Sequence, residues 1–166
     1  MGAGGYTARP MSRSSLHVAL IHPEIHFNAG AAGRTCLGAG AQLHLVRPLG
    51  FSLDARQVRR AGLDYWPRVA PRVWPSWTAF EETLPALGEA YFFSTEGERT
   101  LWDVDFPERV VLVFGRESVG LEPEIRERHR DRLLRLPMAD PELRSLNLAT
   151  TVGIALYEVL RQWRRR

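Results

Sequence analysis

An α/β domain with a largely parallel sheet flanked by helices is the fold this sequence predicts, on three observations. Short apolar runs alternate with helix-length stretches along the chain, the signature of repeated strand, loop and helix. Val110 to Phe114 is apolar without alternation, as a strand covered on both faces must be. At 166 residues the chain fits one domain with its own core.

Residues 1–15, MGAGGYTARPMSRSS, combine Gly, Ser and Pro without apolar periodicity, which predicts a disordered tail ahead of a domain over residues 16–166. Leu16 to Ile21 is a compact apolar strand. His22-Pro23-Glu24 ends it, because proline lacks a backbone donor and restricts the residue before it. Asn28 then opens AGAAGRTCLGAG, whose alanines favour helix and whose glycines weaken it. That composition predicts a tightly packed helix with Asn28 as its cap.

Gln42 to Val46 is the second strand, and the Pro48-Leu49-Gly50 turn leads to Asp54, cap of a short helix from Ala55 to Ala61 that Gly62 stops. Tyr65 to Val73 reads as irregular or weakly extended. Ser76 caps a helix through Leu84, limited by Pro85. Ala90 to Ser94 and Val110 to Phe114 are strands, Pro123 opens a helix to about His129, and Leu133 to Leu136 is the last strand. From Leu148 to Leu160, Val152, Ala155, Leu156 and Val159 fall on one side of a helix, with Ile154 and Tyr157 elsewhere. Such a helix asks for two covered faces, supplied by its own core and a partner subunit, or by one deep core.

The composition is 45% hydrophobic and 25% charged, and no apolar run approaches the ~18 residues of a membrane span. The N-terminus has no basic-then-apolar signal pattern. A single cysteine, Cys36, excludes an internal disulfide and a cysteine-based zinc site. These features predict a cytoplasmic protein without a metal. The net charge is +3, and all 22 basic residues are arginine. They cluster at Arg59-Arg60, at Arg126, Arg128, Arg130 and Arg132, and at Arg161 and Arg164 to Arg166. Guanidinium forks suit phosphates, which points to an anionic polymer; Glu127 and Asp131 dilute the longest run, as on a solvated face.

In parallel sheets ligands bind beyond the carboxyl ends of the strands. That rule gathers His22 to Arg34, Ser94 to Gly97, Gly115 to Gly120 and Pro137 to Asn147 on one edge. The Asn28–Arg34 stretch is neither G-x-G-x-x-G nor a P-loop, since the chain has no lysine. Arg34, nearly two turns into its helix, either snorkels to solvent or reaches into the crevice. Gly115 allows close backbone approach and Gly120 a positive φ, with Glu117 between them. Ser145 and Asn147 stand where the last helix begins, as caps or as site residues.

Three loops of this composition at three strand ends resemble the SPOUT methyltransferases, and within them the ribose 2′-O-methyltransferases of tRNA. Asn28, Gly30 and Arg34 match the first family motif, Gly115, Glu117 and Gly120 the second, and Pro137, Ser145 and Asn147 the third. His22-Pro23-Glu24-Ile25 and Arg59 to Tyr65 resemble more narrowly the small single-domain enzymes that methylate the wobble ribose, on cytidine or uridine. Phe27, before the asparagine, and the long loop Ala139 to Arg144 depart from the pattern. The resemblance implies a C-terminal trefoil knot, S-adenosylmethionine as methyl donor with S-adenosylhomocysteine as product, and a homodimer acting on tRNA.

Carried over by motif position, Phe93, Gly115, Leu136 and Ser145 line the cofactor pocket. Arg34, Glu117, Ser145 and Asn147 surround the reacting ribose, while Asn28, Arg34, Arg59 and Arg60 meet RNA. A guanidinium with a pKa above ~12 is a poor base, so Arg34 is expected to stabilise the developing alkoxide while a phosphate or water takes the proton. Two rivals stand beside this reading. One is a SPOUT enzyme acting on rRNA or another tRNA position, and the other a non-catalytic RNA-binding module.

Overall fold

The computed structural model describes residues 15–54 and 64–166. Seven parallel strands form one sheet in the order β3-β2-β1-β6-β4-β7-β5. They are β1 (Ser15–Ile21), β2 (Gln42–Val46), β3 (Arg72–Trp74), β4 (Glu89–Phe93), β5 (Arg99–Thr100), β6 (Arg109–Phe114) and β7 (Leu133–Arg135). Among the described residues the α-helices are α1 (His26–Ala39), α2 (Trp66–Val69), α3 (Trp77–Glu81), α4 (Leu84–Leu87), α5 (Pro123–Arg128) and α6 (Leu148–Arg164). No described helix is long and apolar enough to cross a membrane.

Alternation along the central strands divides the core into two layers. Leu16, Val18, Leu20, Val110, Leu112 and Phe114 face α1 and α6, where Ala29, Ala32, Val152, Leu156 and Val159 complete one cluster. Ala19, Ile21, Val111 and Val113 face the other way, against Phe80, Leu84 and Ile125 of α3, α4 and α5. β6 is therefore buried on both faces, as its unbroken apolar run requires. The small residues of α1 serve close packing: a Cβ on Gly33 would lie 2.8 Å from the Trp66 ring.

Several local expectations change. Tyr65 to Val73, expected to be irregular or weakly extended, holds the short helix α2 and the start of β3, so only its end is extended. The single helix expected up to Leu84 is two, with Pro85 in the first turn of α4, where its missing N–H costs nothing. The two-residue β5 and the 3-10 turn Leu101–Asp103 were not anticipated. The expected helix Ala55 to Ala61, most of the N-terminal tail, and Arg59 and Arg60 lie outside the described residues.

The strand order places a switch point between β1 and β6. From β1 the chain builds outward through β2 to β3, whereas β6 adjoins β4 on the other side. The chain leaving β1 enters α1 on one face of the sheet and the chain leaving β6 reaches α5 on the other. Their shared carboxyl edge is where folds of this kind carry a ligand crevice.

Candidate functional site

Across this crevice Glu117 reaches from the loop after β6 to the start of α1. Its Oε2 accepts from the Glu24 backbone N–H at 2.8 Å, and its Oε1 accepts from the Ile25 N–H and from Asn28 Nδ2, both at 3.1 Å. Ile25 occupies the N-cap position of α1 and supplies no side-chain cap. A carboxylate from a distant loop thus takes up backbone donors at the helix entrance, where negative charge is favoured. Glu24 returns the contact, accepting from Ser118 N–H and Ser118 Oγ, each at 2.9 Å.

Asn28 lies inside the first turn of α1 and does not cap it. While its Nδ2 donates to Glu117, its Oδ1 accepts from Asn147 Nδ2 at 2.9 Å. Asn147 is the cap of α6, its Oδ1 accepting from Thr150 N–H at 3.2 Å. The chain Glu117–Asn28–Asn147–Thr150 has only one possible direction, because the carboxylate can only accept and the backbone N–H can only donate. Both amide orientations follow from its ends. One hydrogen-bonded line thereby joins all three loops that sequence motifs singled out.

The loop after β6 is tight. Arg116 and Gly120 exchange backbone hydrogen bonds at 3.2 and 2.9 Å, and Gly120 has φ of 74°. A Cβ on Gly115 would stand 2.1 Å from Gly120 C and Leu121 N, so no other residue fits there. Beneath it, Glu122 Oε1 accepts from His22 Nδ1 at 2.6 Å and from Arg116 Nη2. Burial opposes the charge on Glu122, but the bonds from Arg116 and His22 outweigh it and hold its carboxyl below the usual range.

Phe93, Gly115 and Leu136 stand at the ends of β4, β6 and β7, three adjacent strands. Phe93 is buried with its ring stacked on Phe114, the centroids 4.6 Å apart, and Leu136 packs at the edge of the same cluster. Ser145 is exposed and makes no hydrogen bond among the described residues. Arg34 is exposed on α1 with its guanidinium 5.4 Å from the Tyr65 ring centroid, and Tyr65 Oη donates to Gly30 O at 2.9 Å. Of its two expected positions it takes the solvent-exposed one, with the Tyr65 ring beside its guanidinium.

The arginine run does not supply free cations. Arg126 pairs with Glu96, Arg128 with Glu81, Arg132 with Glu89, and Arg130 reaches Glu127 at 3.9 Å. His22, Glu24 and Ser118, which brace the site, are not among the expected site residues, although His22 and Glu24 belong to the His22–Ile25 stretch that carries the family resemblance and Ser118 lies between Gly115 and Gly120.

Among the described residues no group of three or more His, Cys, Asp or Glu could hold a metal ion. Phe93, Gly115 and Leu136 at the ends of β4, β6 and β7, with the loop that follows Leu136, are the residues that could hold an organic cofactor. The loop keeps few hydrogen bonds of its own; Glu142 N–H donates to Asp140 Oδ1 at 2.8 Å.

Residues 15–157 match the SpoU rRNA methylase family. A tRNA (cytidine(34)-2′-O)-methyltransferase of Acidovorax sp. is 43% identical over 148 residues, covering 88% of this chain and 91% of that protein. A solved structure described under the 2-OH methylation of C/U34 on tRNA superimposes with a TM-score of 0.84 at 46% identity, over 93% of this chain and 99% of that one. An AdoMet-bound rRNA methyltransferase from Sinorhizobium meliloti gives a TM-score of 0.73 at 28% identity, over 89% of this chain and 56% of the other.

Proposed function

The chain belongs to the SpoU rRNA methylase family, and from that premise we propose that it methylates the ribose 2′-hydroxyl of the wobble nucleotide of tRNA, cytidine or uridine 34. The names of the similar proteins support both substrate and position. The observation that carries the reading is the hydrogen-bonded line from Glu117 through Asn28 to Asn147. It draws three otherwise separate loops into one site beside the glycine-walled strand ends.

S-adenosylmethionine, when bound, supplies an electrophilic methyl group on a sulfonium. Phe93, Gly115, Leu136 and Ser145 would hold it, the first three standing at the ends of adjacent strands. RNA contact is assigned to Asn28 and to Arg34, which is exposed on α1. Arg34 stabilises the charge that develops on the 2′-oxygen, and the proton leaves to water or a phosphate. Glu117 is no free base, because its carboxylate already accepts three N–H groups. Its role is to position α1, and with it Asn28 and Arg34. Arg34→Lys should slow single turnover at unchanged cofactor affinity; a near-normal rate with an unchanged pH profile removes Arg34 from the chemistry.

The same reading includes a trefoil knot and a homodimer. Consecutive strands β4 and β5 flank β7, so the short Ser94–Glu98 connection must pass over it, with Ser94 N–H bonded to Leu134 O and Gly97 packed on the Leu134 backbone. Such a crossing favours a threaded chain. On α6, Ile154 and Tyr157 remain 39% and 55% exposed opposite the buried Val152, Ala155, Leu156 and Val159, which favours a partner subunit there. Sedimentation should give a dimer at micromolar concentration, and a monomer removes that part of the reading.

The decisive experiment is nucleoside mass spectrometry of tRNA from a strain lacking this chain, paired with methylation by the purified protein. Wobble 2′-O-methylation should disappear in the strain and be restored in the test tube. Unchanged wobble methylation overturns the assignment.

A further inference from the structure

Trp102 is 66% exposed, on the 3-10 turn just after the edge strand β5. A tryptophan so placed gives up much of the free energy its burial would supply. Nothing about its turn is loose. Thr100 and Asp103 form a reciprocal capping box: the Asp103 carboxylate accepts from Thr100 N–H and Oγ1, both at 2.7 Å, and Thr100 Oγ1 accepts from Trp102 N–H at 3.3 Å. Leu101, next to Trp102, is fully buried. The indole is thus presented on a fixed backbone.

Its surroundings are basic and ordered. Arg99 Nη2 donates to Asp103 O at 3.0 Å and Arg135 Nη1 donates to Gly97 O at 3.1 Å, and neither pairs with a carboxylate among the described residues. Arg99 reaches the Asp103 carbonyl directly and Arg135 stands opposite Thr100 in the strand pairing, so both belong to the surroundings of the turn. Hydrogen bonds from Thr100 first, then the charges of Arg99 and Arg135, hold the Asp103 carboxyl below its ordinary range. Here the arginines differ from those of the Arg126–Arg132 run, whose charges are taken up by Glu81, Glu89, Glu96 and Glu127.

The location also matters. Thr100 pairs with Arg135, so Trp102 follows on the same carboxyl edge of the sheet from which Leu136 leads into the third site loop. Three strand spacings, about 14 Å in all, separate β5 from β6 and its Glu117 loop. That is the reach of a few nucleotides of single-stranded RNA. Every base has a face that can stack on an indole, and guanidinium groups suit phosphates.

We propose that Trp102, with Arg99 and Arg135, is a stacking and phosphate-binding surface for an unpaired nucleotide of the RNA substrate, a few positions from the one methylated. The inference rests on the reading of the chain as an RNA ribose methyltransferase. It assigns to the outermost strand a part in holding the anticodon loop open across the site.

The test is fluorescence anisotropy with two labelled probes, an anticodon stem-loop RNA and a single-stranded uridine oligomer. Trp102→Ala should weaken binding of both about 10-fold, and Trp102→Phe should recover most of the loss. Arg99→Ala and Arg135→Ala should each weaken binding and reduce its salt dependence. With the stem-loop as methyl acceptor, Trp102→Ala should raise KM and leave kcat at saturating RNA unchanged. Wild-type affinity in Trp102→Ala overturns the proposal, as does a wild-type protein that binds neither probe. A wild-type protein that binds both but methylates no tRNA refutes the proposed reaction instead, and the Trp102 variants still decide the stacking surface.

Discussion

The strand-end loops and the stretch from Arg126 to Arg132 both carry charged residues that sequence alone marks as interesting, yet the fold uses them in opposite ways. In the loops, one carboxylate and two amides form a line that ties three distant segments together at a crevice. In the arginine run, each guanidinium is matched to a carboxylate, three of them on other elements. Charge density in a sequence therefore does not measure what a surface offers a ligand. What counts is whether the charges are spent inside the fold or held at its edge with capacity left over.

The comparison breaks most sharply at Gly115. An added methyl would collide with the backbone of Gly120 and Leu121, and relief requires the loop after β6 to shift as a whole. Gly115→Ala should lower stability by about 3 kcal/mol and activity by roughly 100-fold through misplacement of Glu117. Urea unfolding and steady-state methylation read the two effects. Wild-type activity in this variant would mean that the loop's shape is not what builds the site.

Glu117→Gln is the next step down. The amide keeps the shape and its oxygen can still accept from Ile25 and Asn28, but its NH2 then faces the Glu24 N–H donor to donor, at a cost of roughly 2 kcal/mol, and activity should fall about 10-fold as α1 loosens. The two readouts should move together. Full stability with lost activity would place the carboxylate at the reacting ribose and not at the helix entrance.

Much of the fold was legible because periodicity is local. The strands Leu16–Ile21, Gln42–Val46 and Val110–Phe114 and the two-sided α6 follow from which positions are apolar. Elements two to four residues long, such as β5, β3 and α2, have no period to read and are created by the neighbour they pack on. The site was legible as three loops, but its wiring was not. Asn28 looked like a cap, whereas α1 begins two residues earlier because Glu117, distant in sequence, satisfies the Ile25 N–H. The arginine pairing was hidden for the same reason, since Glu81, Glu89 and Glu96 reach it only through the folded sheet.

Another polar line, in the buried sheet, separates burial from location. Trp74 Nε1 donates to His44 Nδ1 at 3.0 Å, which leaves His44 Nε2–H to donate to His17 Nδ1 at 3.0 Å, inside the sheet and away from the crevice. His44 is fully buried, and desolvation, with the charges of His17 and Arg72 adding to it, pulls its pKa down to about 3. Since the folded value lies below the ordinary 6.5, the unfolded chain takes up the proton first as pH falls. The contribution to stability is full above 6.5 and drains away toward pH 3. His44→Leu should therefore be less stable at pH 7, by about 1–3 kcal/mol from the unpaired indole and His17. Its stability should also change less between pH 6.5 and 4.5, with activity at neutral pH near normal. Unfolding curves at the two pH values check this, and an unaltered pH slope would show that His44 is not the group that titrates.

The smallest effect is expected in the arginine run itself. Arg130 sits 3.9 Å from Glu127 with both side chains mostly in water, and Arg128 is also largely exposed, so neither pair should contribute more than about 0.5 kcal/mol to stability. If these guanidinium groups are spent on carboxylates, Arg128→Ala and Arg130→Ala should change tRNA affinity by less than about twofold. The slope of log affinity against log salt should stay the same, because no phosphate contact has been lost. A residue that does touch phosphate lowers that slope by about one on substitution. Binding measured across a salt series thus separates the two regions directly. A fall in slope for Arg130→Ala would mean that its pair with Glu127 opens to receive RNA, and that the run belongs to the interface after all.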